Sequence, residues 1–302
     1  MAIDFTPALV QHTIGLTLLV AGLPWLIRGI TRIVEQRGVG LPHDGAWNDV
    51  CWGRTAGGFE FVIVCMVVHL LVIYGMAGLA SLPLGLPQPS DSVAATVVWS
   101  LLTCAHWVVV CGLILGWIVW RARGRLDSVG LTRRHLGHSV LTGLNGFPTI
   151  MPAVLIVMYA ANYIYFLFTT QPMGEHPMVQ ALHESQDPWM VAAIFAAAGL
   201  LIPFFEELFY RGLIQTSLLR TGSPALAIVI TSLLFGMAHL ASGNAPVNVP
   251  AVTVLSLGLG YVYYRTRSLW ASVALHAVFN LYNLTLTLTA KPIADHLNSY
   301  QG

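Results

Sequence analysis

The chain has 302 residues, of which 56% are apolar and only 9% charged, with a formal net charge of +1 at pH 7. An ordinary soluble domain carries about a quarter charged residues, and a mean hydropathy of +0.71 leaves too little polar surface for a soluble fold of this length. No basic tract of the kind that binds a nucleic acid is present.

With about 20 apolar residues per span, eight predicted membrane helices follow one another along the chain. The first, 8–27, is preceded by Asp4 and no basic residue and is followed by Arg28 and Arg32, so it reads as a span rather than a cleavable leader. The second and third cover 59–82 and 93–120. Gly112 and Gly116 in the third have the GxxxG spacing that lets helices approach closely. The connection 121–138 is the most polar stretch, and its Gly-Leu-Thr-Arg-Arg run is expected as a short interfacial segment. The fourth span is 139–168. The loop 169–187 carries Glu175, Glu184 and Asp187 without a basic residue, and the remaining spans are 188–210, 225–242, 248–264 and 269–290. The expected fold is therefore all-α, a polytopic membrane helix bundle of about eight transmembrane helices. It divides into an N-terminal membrane region over 1–138, a core over 139–290 and a tail over 291–302.

The basic residues test this count. Arg211 lies within a span, and twelve of the other thirteen fall in alternate connections: Arg28 to Arg54 in the first, Arg121 to Arg134 in the third, Arg220 in the fifth, Arg265 and Arg267 in the seventh. By the positive-inside rule these face the cytoplasm, and both termini lie outside. The four cysteines, Cys51, Cys65, Cys104 and Cys111, form no CxxC pair, and the three in spans read as small hydrophobes.

Charges within a span cost at least ~2.5–3.5 kcal/mol each and demand a reason. The fifth span closes on Glu206-Glu207-Leu208-Phe209-Tyr210-Arg211. Glu207 and Arg211 are four apart with the acid first, the favourable order for an ion pair on one helical face. Glu206 points about 100° away and has no cation on its own face, so it is expected to face a cavity. Pro203 cannot donate to the carbonyl of Gly199 and should kink the helix just before the glutamates.

The sixth span contains Phe235 and His239, and the eighth holds His276 and Asn280 on one face. Thr221-Gly222-Ser223-Pro224 joins spans five and six. Glu207 lies 16 residues before Ser223 and His239 lies 16 after it, so both sit about 24 Å from the turn. His276 and Asn280 lie roughly 14 and 20 Å from Arg267. Three spans thus bring polar groups to similar depth. Packing alone accounts for the Glu207–Arg211 pair but not for a second glutamate level with two histidines and an asparagine. His12, His69 and His106, by contrast, read as hydrogen-bonded packing residues.

At these residues the sequence resembles the CPBP (Abi) family of intramembrane proteases, which includes the type II CAAX prenyl endopeptidases. The family pattern is EExxxR, then FxxxH, then HxxxN, here Glu206-Glu207…Arg211, Phe235…His239 and His276…Asn280, in that order. The run Arg267-Ser268-Leu269-Trp270-Ala271-Ser272 before His276 is also similar. The resemblance covers about 188–288 and implies peptide-bond hydrolysis within the membrane, on membrane-associated or lipidated protein or peptide substrates.

By position it makes Glu206 the general base, assisted by His239. His276 and Asn280 become oxyanion donors, and Glu207 and Arg211 support them. Many members are called metalloproteases, and Glu206, His239 and His276 could hold a divalent metal such as zinc with an open water position. No HExxH is present, and a metal-free glutamate mechanism is equally compatible with the pattern. The rival readings are a non-catalytic immunity or scaffold member of the family and a proton-coupled transporter. The transporter reading expects inverted repeats, and none is visible. Either way the chain is expected as a multi-pass protein of the bilayer, the cytoplasmic membrane if the source is prokaryotic.

Overall fold

The computed structural model describes residues 7–34, 58–81, 93–121, 126–133, 135–170, 182, 187–221, 223–240 and 245–299. Among these residues there is no strand. Cys51, Glu175 and Glu184 of the acidic loop, and Arg37, Arg54, Arg123, Arg125 and Arg134 lie outside the described residues.

Each expected span corresponds to a helix. These are α1 (Pro7–Val34), α2 (Gly58–Ser81), α3 (Val93–Arg121), α4 (Leu136–Thr169), α5 (188–221), α6 (Pro224–Met237), α7 (Ala245–Thr266) and α8 (Leu269–Ser299). Five of the described helices are long and apolar enough to cross a membrane. The apolar stretches Thr13–Gly29, Val62–Val72 and Pro224–Met237 are shorter. The protein is a polytopic helical membrane bundle. Its 34-residue α4 would extend about 51 Å, well beyond a ~30 Å hydrocarbon core. Helix α8 runs to Ser299, so most of the expected tail is helical.

The outer faces carry exposed Leu, Val, Ile and aromatic side chains, such as Leu71, Leu113, Phe168 and Leu233, as a surface bathed in lipid requires. Gly112 and Gly116 belong to that outer face. A Cβ at either would meet nothing within 4 Å among the described residues, so the GxxxG spacing marks no close helix contact there.

Helix α5 is the hub. Every residue from Leu208 to Gln215 is buried, the pattern of a helix enclosed on all sides. Ile114 and Ile118 of α3, Phe235 of α6, Tyr263 of α7 and Leu269 of α8 share one apolar core with Leu208, Phe209 and Leu213 of α5. A second core joins Val154 of α4 to Leu255 and Leu259 of α7 and Leu275 of α8.

Both helices of the α5–α6 hairpin begin on a local cap. Asp187 accepts from the Trp189 N–H at 2.9 Å with Pro188 in the first turn of α5. Ser223 does the same for Leu226 at 3.3 Å with Pro224 in the first turn of α6.

The polar connection after α3 is more tightly docked than an interfacial segment. Leu126–Val129 forms one 3₁₀ turn, and Ser128, Val129 and Gly130 are buried. Gly130 turns the chain with φ +78°, and its carbonyl accepts from the Leu269 N–H at 2.8 Å, satisfying one of the free donors that open α8. A Cβ at Gly130 would stand 2.8 Å from that same nitrogen.

Candidate active site

The site is built on the irregular middle of α5. Two π segments, Ala197–Leu201 and Leu208–Gln215, bracket the short α-helical piece Ile202–Glu207 that presents both glutamates. In the first π segment the Ile202 N–H bonds the Ala197 carbonyl. The next bond of that register would run from residue 203 to Ala198, and Pro203 has no N–H to make it. Asn280 of α8 supplies the missing donor, its Nδ2 reaching the Ala198 carbonyl at 2.8 Å. The expected consequence of Pro203 thus takes the form of a π turn in which the Ala198 carbonyl finds its donor on another helix. An amide nitrogen carries two N–H groups, so Asn280 has one left after this bond.

Glu207 and Arg211 are both 0% exposed and pair at 2.8 Å. Arg211 also donates to the Ser256 carbonyl at 3.1 Å and its hydroxyl at 2.6 Å, and its guanidinium lies 5.0 Å from the centre of the Phe235 ring. Four residues further on, Gln215 donates to the Gly260 carbonyl at 2.8 Å. A polar stripe at four-residue spacing therefore fastens α5 to α7.

His276 joins α8 to both glutamates. Its Nδ1 lies 2.9 Å from Glu207 Oε1 and its Nε2 lies 3.6 Å from Glu206 Oε2. The first is a hydrogen bond in which the ring donates to the carboxylate. The second is too long for a direct one and suits a group held between the two atoms. Glu206, with 14% of its side chain exposed, is the more accessible carboxylate. The partner missing from its own helical face comes from another helix.

His239 lies just beyond the end of α6, in the turn 238–240, rather than on the helix as the span 225–242 would have it. Its Nδ1 donates to the Phe235 carbonyl at 2.9 Å. In the neutral ring that bond leaves Nε2 as an acceptor. Phe235 stands between the two histidines, its ring centre 5.0 Å from His239 and 5.8 Å from His276. Both histidines are near enough to act on Glu206 electrostatically. One residue after Phe235, a Cβ at Gly236 would collide with the hydroxyl of Thr253, so glycine there lets α7 close on α6 beside the site.

Two contributors, Ser256 and Tyr210, went unseen in the sequence. Ser256 carried no motif, although it precedes the small residues Gly258 and Gly260 on α7. The Tyr210 hydroxyl and the His69 ring bond each other at 3.1 Å across 141 residues of chain. His69 and His106 are hydrogen-bonded, as expected, here to each other at 3.0 Å. The metal alternative fits less well. Among the described residues no three His, Cys, Asp or Glu side chains come together as a group able to hold a metal ion, although the Nδ1 bonds of both candidate histidines leave Nε2 as the nitrogen a metal would take.

In the segment that carries the site the chain is similar to membrane proteases of the CPBP family. Residues 188–282, which include all seven motif residues, match the family described as "Type II CAAX prenyl endopeptidase Rce1-like". The chain is also 23% identical, over 234 residues, to the protein named "Putative membrane peptidase YdiL" of Bacillus subtilis (strain 168). That alignment covers 77% of this chain and 85% of the relative. No solved structure matches the chain.

Proposed function

We propose that the protein is an intramembrane endopeptidase that cleaves membrane-associated or lipidated, CAAX-type, protein or peptide substrates with water activated by Glu206. The observation that carries this reading is a single histidine, His276, set between two adjacent glutamates that differ in exposure and in partners. Glu207 is fixed by Arg211, while Glu206 keeps an oxygen facing His276 at a distance that suits a shared water.

In this mechanism Glu206 takes a proton from the water as its oxygen attacks the substrate carbonyl. His239 assists through Nε2. The carbonyl oxygen becomes an oxyanion, which accepts from protonated His276 and from the second N–H of Asn280. Glu206 then hands its proton to the leaving amine as the C–N bond breaks. Glu207 and Arg211 touch no substrate and hold His276 in place. The apolar walls keep bulk water out and strengthen each of these interactions.

The test uses purified protein and two fluorogenic peptides that are identical except that one carries a prenylated C-terminal cysteine. Wild type should cleave, and Glu206→Gln should fall to background at every pH. A folded Glu206→Gln protein that still cleaves at near wild-type rate refutes the assignment. A preference between the two peptides reads the substrate class directly.

A further inference from the structure

We propose that α2, which lies outside the matched segment 188–282, is a working part of the site, with His69 and Tyr74 as positioning residues that set α5 and the end of α6 in register. This rests on the reading of Glu206 and His239 as the water-activating pair.

His69 is 0% exposed on a helix whose neighbouring side chains Val64, Val67, Val68 and Leu71 face outward. A buried imidazole needs partners for both nitrogens or loses its hydration without return. His69 has both: Nδ1 with His106 Nε2 at 3.0 Å and Nε2 with the Tyr210 hydroxyl at 3.1 Å. Trp107 and Phe209 enclose the ring at 4.7 and 4.6 Å between centres. The position of its nitrogens is therefore fixed from two helices at once.

What His69 holds is close to the chemistry. Tyr210 follows Glu206 by four residues and precedes Arg211. Its ring meets Phe235 edge-on at 4.9 Å, and Phe235 touches both His239 and His276. Tyr74 lies five residues after His69, about 7.5 Å along α2. It donates to the Met237 carbonyl at 2.8 Å, at the last residue of α6 and two before His239. One helix thus grips the glutamate-bearing segment with one polar side chain and the histidine-bearing turn with another.

Packing alone gives no reason for this choice, since an apolar pair of the same shape is nearly neutral or stabilising in place of a buried hydrogen bond. What the polar contacts add is direction: a hydrogen bond fixes Tyr210 and Met237 to a narrow range of distance and angle that apolar contact does not.

The experiment compares His69→Leu, His69→Gln, Tyr210→Phe, Tyr74→Phe and the double variant His69→Leu/Tyr210→Phe in the full-length protein. Each is measured for thermal stability, for peptide cleavage and for amide hydrogen exchange. His69→Leu and Tyr74→Phe should keep KM while kcat falls roughly 10–100-fold, the scale of a misplaced reacting group. His69→Leu also strands the buried Tyr210 hydroxyl and should melt lower, a loss that the double variant recovers without recovering kcat. His69→Gln, whose amide reaches the Nε2 position, should restore most of the rate. The double variant should be no worse than either single change.

Exchange should quicken over 237–240 in Tyr74→Phe and over 208–215 in His69→Leu, and not in α7. Unchanged kcat in both, or losses that follow stability with no rescue by glutamine, overturns the proposal. If wild type and Glu206→Gln alike cleave neither peptide, the protease reading falls and exchange decides on α2. Faster exchange confined to those two segments then supports the grip, and unchanged exchange overturns it.

Discussion

Replacing Arg211 by methionine keeps most of the side-chain volume and removes the guanidinium enclosed with Glu207. In the native protein that guanidinium bonds Glu207 at 2.8 Å and both the hydroxyl and carbonyl of Ser256, and it lies over Phe235. With both partners 0% exposed, solvent cannot take over its role. Removing one member of a buried pair costs about 3–5 kcal/mol, because the other charge is left uncompensated. At roughly 2–4 °C per kcal/mol for a large domain, the detergent-solubilised variant should melt on the order of 10 °C below wild type. The same reasoning makes a second, opposite claim. Arg211→Met/Glu207→Gln removes the stranded charge and should melt well above Arg211→Met alone. Activity should stay low in the double variant, since Glu207 no longer holds His276 as a carboxylate. An Arg211→Met protein as stable as wild type, or a double variant less stable than the single one, would refute the buried-pair argument.

Asn280→Ala strands the Ala198 carbonyl, a loss of about 1–3 kcal/mol, and deletes an oxyanion donor, a loss of about 10²–10³ in kcat. Adding Pro203→Ala restores an N–H to α5 and should recover melting temperature but not kcat; recovery of both would leave Asn280 as an anchor alone. Single cysteines at Asp127 and Thr170, beyond opposite ends of α4, should label from opposite sides of the membrane in a background without native cysteines. Labelling from one side would overturn the topology read from the arginine-rich connections.

The eight helices were legible because lipid leaves a chain few choices: each backbone polar group must be satisfied within its own helix, so spans declare themselves by length and apolar composition. The Glu207–Arg211 pair was legible for a related reason, since i, i+4 neighbours meet on any helix. Partners on different helices were not. Arg211 meets Ser256 across 45 residues and Tyr210 meets His69 across 141, and hydropathy says nothing about which helices adjoin. The GxxxG spacing at Gly112 and Gly116 failed likewise, because small residues permit close approach without requiring it. The end of α6 was misjudged because apolar residues continue past Met237 while the hydrogen bonding changes to a turn at 238–240.

A single gradient runs through these successes and failures. A charge in a span is so costly that it survives only with a reason, and Glu206, Glu207 and Arg211 therefore stand out from sequence alone. Tyrosine, serine and asparagine cost far less to bury and carry no such signal, yet they decide how the charges are held. Ser256 fixes Arg211, and Asn280 fills the bond that Pro203 cannot make. Irregular backbone follows the same logic. A π segment leaves carbonyls that must find donors elsewhere, and α5 has two such segments around its glutamates. Helix α5 can depart from regular geometry beside its charges because α7 and α8 supply partners from outside, and it is enclosed on every side where those partners are needed.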